Sequence, residues 1–261
     1  MILIFGKTGQ VATELQRTGD VLAVGRDFIN LSNPSSCYEA IKIHKPKAVI
    51  NAAAYTNVDK AENEEELATI INGNSPKAMA QACATLNIPL LHLSTDYVFD
   101  GTGDEPWHPK DATKPQNAYG RTKKIGEEGI RSVDSNYCIL RTSWVVSSHG
   151  TNFVKTMLNL SENRDTLSLV ADQIGGPTPA KDIAKACLEI VDQLIQDPSK
   201  SGTYHFSGTK DVSWADLATE IFQKTSRSIE VSPIPTCDYP TPAVRPLNSR
   251  LDCSKTGEVF F

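Results

Sequence analysis

The stretch "NAYGRTK", residues 117–123, sets Tyr119 one helical turn ahead of Lys123. At this spacing two side chains share one helix face. A phenol has an ordinary pKa of about 10, too high for acid–base work near neutrality, and an adjacent ammonium favours its ionised form. The pair is therefore a candidate proton donor with the charge that tunes it. The same spacing also fits an amphipathic surface helix, and the pair alone does not separate the two readings.

A second candidate lies at the start of the chain. "MILIF" reads as a strand and runs directly into Gly6-Lys7-Thr8-Gly9-Gln10-Val11-Ala12, after which a helical pattern begins. Glycines at such a turn let a backbone approach a phosphate, and the helix offers free N–H groups to a pyrophosphate. The "GKT" here is not a nucleoside-triphosphate loop, because the upstream glycine that loop requires is absent. The spacing Gly-x-x-Gly-x-x-Ala suits a dinucleotide loop related to the usual fingerprint, though a plain structural turn is the alternative. After the second apolar run comes Gly25-Arg26-Asp27. A guanidinium there could meet a 2′-phosphate, so Arg26 favours NADPH, with NADH use left open.

Short apolar runs must carry these groups. "ILIF" (2–5), "VLAV" (21–24), "AVINAA" (48–53), "LLHLS" (90–94) and "YCILRTSWVV" (137–146) read as buried strands. "VATELQRT", "SCYEAIKIH", "SPKAMAQACATLN" and "YGRTKKIGEEGIRSV" between them read as helices. Strands apolar on both faces and alternating with helices predict an α/β fold, a Rossmann-like doubly wound parallel sheet. Beyond residue 147 the alternation loosens into a smaller, mixed α+β lobe. It holds "FVKTMLNLSEN", "DIAKACLEIVDQLIQ" and "SWADLATEIFQKT" as helices, the last capped by Ser213, with "TLSLV" and "GTYHFSG" as strands. We assign 1–146 and about 179–207 to the nucleotide-binding domain, and about 147–178 and 208–261 to a substrate lobe. The proline-dense 232–246, "SPIPTCDYPTPAVRP", lacks backbone donors and favours an extended path over a site.

The net charge of −5 argues against a nucleic-acid partner. No run is long enough to span a membrane, and "MILIFGKTGQ" has no basic n-region. The six cysteines are scattered without a CxxC, which suits reduced thiols and a cytoplasmic protein rather than a disulfide framework or zinc site. No metal cluster is evident, although Glu14 and other surface acids leave room for Mg2+ at an oligomer interface. His92, inside an apolar strand, reads as a satisfied core residue, and "AENEEEL" (61–67) as a solvated helix start.

Taken in order, the glycine loop, "NAAAYTNVDKAE" (51–62), "LSTDYVFDG" (93–101) and "YGRTK" resemble the extended short-chain dehydrogenase/reductase family. "RTSWV", "NFVKTML", "DQIGGPT" (172–178) and "RPLNSRLD" (245–252) narrow the likeness to the branch that reduces nucleotide-linked 4-keto sugars, over essentially the whole chain. The resemblance implies Thr95, Tyr119 and Lys123 as the catalytic set, with Lys123 also bonding the nicotinamide ribose. It implies cofactor contacts at Gly6, Lys7, Thr8, Gly9, Gln10 and Val11, again at Ala53, Ala54, Tyr55 and Thr56, and at Tyr119 and Lys123 themselves. Sugar-nucleotide contacts are implied at Thr95, Asp96, Tyr97, Trp144 and Gln173. The implied reaction is NAD(P)H-dependent reduction of the 4-keto group of dTDP-4-dehydro-L-rhamnose, by a monomer or homodimer. Alternatives are a reductase or epimerase of another nucleotide-linked 4-keto-6-deoxy sugar, and a non-catalytic scaffold resembling the regulatory subunit of methionine adenosyltransferase. Two departures stand out: Ala12 where the family often has glycine, and an ending "CSKTGEVFF" in place of the family's C-terminal helix.

Overall fold

A computed structural model describes all residues 1–261. The first half alternates as expected: β1 (Ile2–Phe5), α1 (Gln10–Thr18), β2 (Val21–Val24), α2 (Pro34–His44) and β3 (Ala48–Asn51). Two short helices follow, α3 (Val58–Ala61) and α4 (Glu65–Thr69), leading through one π-turn into α5 (Ser75–Leu86). Then come β4 (Leu90–Thr95), α6 (Ala118–Arg131) and β5 (Tyr137–Thr142). The rest comprises β6 (Val145–Val146), α7 (Phe153–Leu160), β7 (Thr166–Val170), β8 (Ile174–Gly175) and β9 (Thr178–Pro179). It continues through α8 (Ala180–Gln196), β10 (Gly202–His205), β11 (Val212–Ser213), α9 (Trp214–Lys224), β12 (Glu230–Ile234), β13 (Asn248–Ser249) and α10 (Ser254–Phe260).

Six strands form one parallel sheet in the order β10-β5-β4-β3-β1-β2. Strand alternation divides its apolar residues between two cores. Ile2, Ile4, Ile50, Leu91 and Leu140 pack with α1 and α8, whereas Leu3, Phe5, Val49, Leu90 and Ile139 pack with α2 and α5. Burial on both faces is why these strands read as unbroken apolar runs. The strand order reverses between β1 and β3. In an open α/β sheet this switch point, at the carboxyl ends of the strands, is where a crevice forms.

A separate core of Met157, Leu167, Val212, Leu217, Ala218, Ile221 and Phe222 joins α7, α9 and the β7–β12 pair. Ser213 caps α9 as expected, through a reciprocal box with Asp216. The proline-dense segment runs extended over the molecule. It is pinned by the Arg245 guanidinium on both oxygens of Asp59 at 3.0 and 2.7 Å, and by Asn117 Nδ2 donating to Val244 O at 2.7 Å. The last residues, Ser254–Phe260, form a short helix. Phe260 packs edge-on to Tyr204 at 4.9 Å, and Gln193 Nε2 donates to its carbonyl at 2.8 Å. No helix is long and apolar enough to cross a membrane.

Candidate active site

The glycine loop occupies the end of β1 at the switch point. Gly6 has φ +110°, and a Cβ there would press on the Ala52 backbone at 3.2 Å, so only glycine fits. Gly9 precedes α1, whose first N–H groups have no side-chain cap. The Gln10 carboxamide is held by Ser147 Oγ and Asn152 Nδ2, both donating to Oε1 at 2.9 Å. Val11 and Ala12 are buried beneath the loop, Ala12 fully, so the alanine serves where the helix packs on the sheet. Lys7 and Thr8 are exposed, and Lys7 Nζ reaches Asp27 at 3.1 Å. Arg26 is exposed beside that pair, free of any ion pair.

Across the crevice, Ala53, Ala54, Tyr55 and Thr56 follow β3. Asn72 fixes this segment, Oδ1 accepting from Tyr55 N at 2.8 Å and Nδ2 donating to Tyr55 O at 3.1 Å. The acids expected to be a solvated helix start are instead structural. Glu64 accepts from the Tyr55 hydroxyl at 2.7 Å, Glu62 from Ala118 N at 2.7 Å, and Glu65 from both arms of Arg121 at 2.8 and 2.7 Å. They tie the segment after β3 to the start of α6.

Helix α6 is capped by Asn117, whose Oδ1 accepts from Gly120 N at 2.8 Å. Gly120 is small for a reason visible here: a Cβ would run into the Tyr97 carbonyl oxygen and the Pro115 ring. This close approach sets Tyr119 edge-on to Tyr97, with ring centroids 5.6 Å apart. At the end of β4, Thr95 Oγ1 donates to Asp96 Oδ1 at 3.0 Å. Thr95, Asp96, Tyr97, Tyr119 and Trp144 line one cavity of about 240 Å³, joined by Thr142 and Ser143, which sequence reasoning did not single out. Asp96 Oδ2, Thr142 Oγ1 and Ser143 Oγ are buried without a hydrogen-bond partner. Burial pushes the Asp96 carboxyl up to about 6, against the hydroxyls of Ser249 and Thr95.

Lys123 is brought to the same helix face but not to the phenol. Its Nζ donates to Leu93 O at 2.7 Å and meets His92 Nε2 at 3.1 Å. The expected lowering of Tyr119 by Lys123 is therefore corrected. Burial first, and the Asp96 charge second, push the phenol above its ordinary value, opposed by the Thr95 hydroxyl. His92 is a satisfied buried residue as read, yet its partner is Lys123. The legible signal was a histidine and Asn51 in register on neighbouring apolar strands.

Trp144 lies in the left-handed region at φ +48°, a conformation costing a bulky residue roughly 1–2 kcal/mol. Its indole stacks on Trp214, centroids 3.4 Å apart and planes 7° from parallel. Both border a second cavity of about 680 Å³ that also reaches Gln173, Phe153, Arg164 and Arg245. Gln173 Oε1 accepts from Trp214 Nε1 at 3.1 Å, and Asp172 accepts from Thr236 N at 2.9 Å, fastening the extended segment. Glu14, considered for a shared cation, is buried and bonded to His149 Nε2 at 2.8 Å.

The profile of the RmlD substrate binding domain matches residues 1–261. The chain is 42% identical to dTDP-4-dehydrorhamnose reductase of Salmonella typhimurium over 273 residues, covering 99% of this chain and 91% of that protein. The crystal structure of such a reductase from Clostridium acetobutylicum superposes with TM-score 0.91 at 38% identity, covering 97% of this chain and 90% of the other. The Bacillus anthracis enzyme in complex with NADP gives TM-score 0.92 at 33% identity, over 100% and 93% of the two chains. This chain belongs to the RmlD substrate binding domain family.

Proposed function

We infer that this protein is an NADPH-dependent reductase that converts dTDP-4-dehydro-L-rhamnose to dTDP-L-rhamnose. The observation that carries the reading is the meeting of Thr95, Tyr119 and Asp96 in one cavity beside a crevice with the Gly6 cradle. The residues of the crevice fit a dinucleotide. Gly6 and Gly9 let its pyrophosphate approach the uncapped start of α1, and Ala53 to Thr56 flank it on the other side. Bound there, NADPH supplies the hydride for the ketone carbon. Thr95 holds the ketone oxygen once its hydroxyl hydrogen turns from Asp96 Oδ1 to the substrate, and Tyr119 donates the proton to it. Burial and the Asp96 charge keep the phenol protonated at neutrality, so it meets the ketone in the form that can donate to a developing alkoxide. The unpaired oxygens of Asp96, Thr142 and Ser143 suit sugar hydroxyls. The larger cavity, with its indole stack and Arg164 and Arg245, suits the base and diphosphate. The unpaired cysteines fit a reducing compartment, and we place the enzyme in the cytoplasm.

The test is loss of NADPH absorbance with the 4-keto-L-sugar nucleotide generated in situ by its upstream epimerase. A protein that binds NADPH yet reduces no nucleotide-linked 4-keto sugar would be a cofactor-binding scaffold instead. Cofactor preference follows from Arg26, just after β2, with Lys7 of the glycine loop paired to its neighbour Asp27. Arg26→Ala should raise the NADPH dissociation constant at least about tenfold and leave that of NADH in place, since a charge-assisted phosphate contact is worth roughly 1.5–3 kcal/mol. Equal losses in titrations of the two cofactors would remove Arg26 from the site.

Asp96 predicts a pH dependence. With Oδ1 facing the Thr95 hydroxyl, Oδ2 is free to accept from the sugar in full only when the carboxyl is ionised, which holds above about pH 6 and weakens as pH falls through that value. KM for the sugar nucleotide should therefore rise on the acid side while KM for NADPH stays level. Asp96→Asn should abolish that acid limb; a limb that survives in the variant belongs to another group.

A further inference from the structure

His92 lies in β4 with no exposure, and both its ring nitrogens have polar partners. Nδ1 faces Asn51 Nδ2 at 2.9 Å, and Nε2 faces Lys123 Nζ at 3.1 Å. The Asn51 carboxamide is oriented from its other side, where Oδ1 accepts from Ala53 N at 3.1 Å. The edge turned to His92 is therefore the donor. A ring nitrogen receiving that donor carries no hydrogen, so the neutral imidazole bears its hydrogen on Nε2. That hydrogen points at Lys123 Nζ, which already donates to Leu93 O. An ammonium has no lone pair to receive it. Every bond in the cluster is satisfied only when Lys123 is a neutral amine.

Protonating Lys123 inverts the requirement. Nζ then needs an acceptor, so the ring hydrogen must move from Nε2 to Nδ1, where it meets Asn51. Asn51 can accept it only by turning its oxygen toward His92 and releasing the Ala53 N–H. The net change is one proton taken from solvent onto Nζ, with the imidazole neutral throughout.

We propose that Asn51 and His92 form a relay that couples the charge of Lys123 to the backbone at Ala53, in the segment that flanks the crevice. His92 is the positioning residue of that relay. The groups facing Lys123 are His92 from β4, the uncharged Asn51 behind it from β3, and Glu127 from its own helix; the Tyr119 phenol, one turn away, makes no contact with it. Glu127 is engaged by Arg131, Arg141 and Ser94. Burial draws Lys123 down to about 8, against Glu127, while burial and the Lys123 charge hold His92 well below its ordinary value. The ring thus stays uncharged across the range in which the lysine titrates.

The relay is tested on cofactor-free protein labelled with 15N-histidine, by long-range proton–nitrogen correlation between about pH 6 and pH 10. The His92 signal is the one missing in His92→Gln. It should carry its hydrogen on Nε2 at high pH and on Nδ1 at low pH, with a midpoint near 8, and the switch should vanish in Lys123→Met. A single tautomer throughout, or a cationic ring, overturns the relay. A kinetic arm rests on the contact to the nicotinamide ribose that the family resemblance implies for Lys123. The carboxamide oxygen introduced by His92→Gln can accept from an ammonium, so the alkaline limb of kcat/KM should move up by about one pH unit or more; an unmoved limb also overturns the relay. Should His92→Gln fail to fold, the wild-type and Lys123→Met spectra decide between them, His92 being the signal that Lys123→Met perturbs. A protein that proves inactive as a reductase leaves the spectroscopic result standing, so the two readings fail separately.

Discussion

Replacing Tyr119 with Phe should lower kcat by about 10²–10⁴-fold, the range that a positioned general acid contributes. The variant keeps the ring, and with it the edge contact to Tyr97 and the close seating of Gly120 against the Tyr97 carbonyl. It removes only the hydroxyl. The Gly6 cradle and the start of α1 lie on the other side of the crevice, so the NADPH dissociation constant should hold. The measurement is turnover at saturating cofactor and sugar nucleotide, beside a cofactor titration and a melting curve. Retention of most of the wild-type turnover would remove Tyr119 as the proton donor. Loss of cofactor affinity in parallel would show that the phenol serves binding instead.

The largest expected effect on stability lies away from the chemistry. Glu127 is fully buried and accepts from Arg141 Nε at 2.8 Å and Nη2 at 2.7 Å, from Arg131 Nη2 at 2.7 Å and from Ser94 Oγ at 2.6 Å. Removing one partner of such a pair strands the other, so Glu127→Ala should cost about 3–5 kcal/mol, because Arg141 would remain almost wholly buried without its carboxylate. Burial raises the Glu127 pKa, but Arg141, Arg131 and Ser94 outweigh it and leave the carboxyl below its ordinary value. The sign follows: its contribution is complete above the ordinary glutamate value and is lost as pH falls through the lower folded one. Urea unfolding at neutral pH checks the magnitude, and Glu127→Gln, which keeps the acceptor oxygen, should cost less. A loss below about 1 kcal/mol for Glu127→Ala would mean that water reaches Arg141 after all.

Sheet and helices were legible because burial on both faces leaves a plain mark. The runs at 2–5 and 21–24 are β1 and β2 to the residue, and the helices over 75–87 and 119–133 shift by only one or two positions at their ends. "YCILRTSWVV" read as one strand, but Trp144 turns left-handed and splits it into β5 and the separate β6. Nothing in the residue types announces that turn, since a tryptophan there is held by its stack on Trp214. Strand β12 was hidden by prolines, and Pro233 is tolerated because β12 pairs only with β7. At the site, motifs located Thr95, Tyr119 and Lys123, but not what each one bonds. Lys123 turns to His92 and Leu93, and the acids after residue 61 turn inward to Tyr55, Ala118 and Arg121. Side-chain direction depends on partners distant in the chain, which spacing along one helix does not encode.

Strand β5 gains its outer neighbour late. Arg141 on β5 and His205 on β10 face each other across 64 positions of chain. While the ribosome is still delivering that interval, β5 is the edge of a five-stranded sheet, with a row of backbone groups open to pairing by another nascent chain. Arg141 sits near the C-terminal end of that edge, ion-paired to Glu127 alongside Arg131. In the unfinished molecule these charges are wet, where an ion pair costs little to keep, and a charged edge is a poor template for aggregation. Arg141 and Glu127 become an enclosed pair in the finished fold, where His205 of β10 meets Arg141 and is itself held at Trp107 O, while Arg131 stays partly exposed. The charges that fasten the finished fold would thus also mark this strand as a poor partner while it waits for β10.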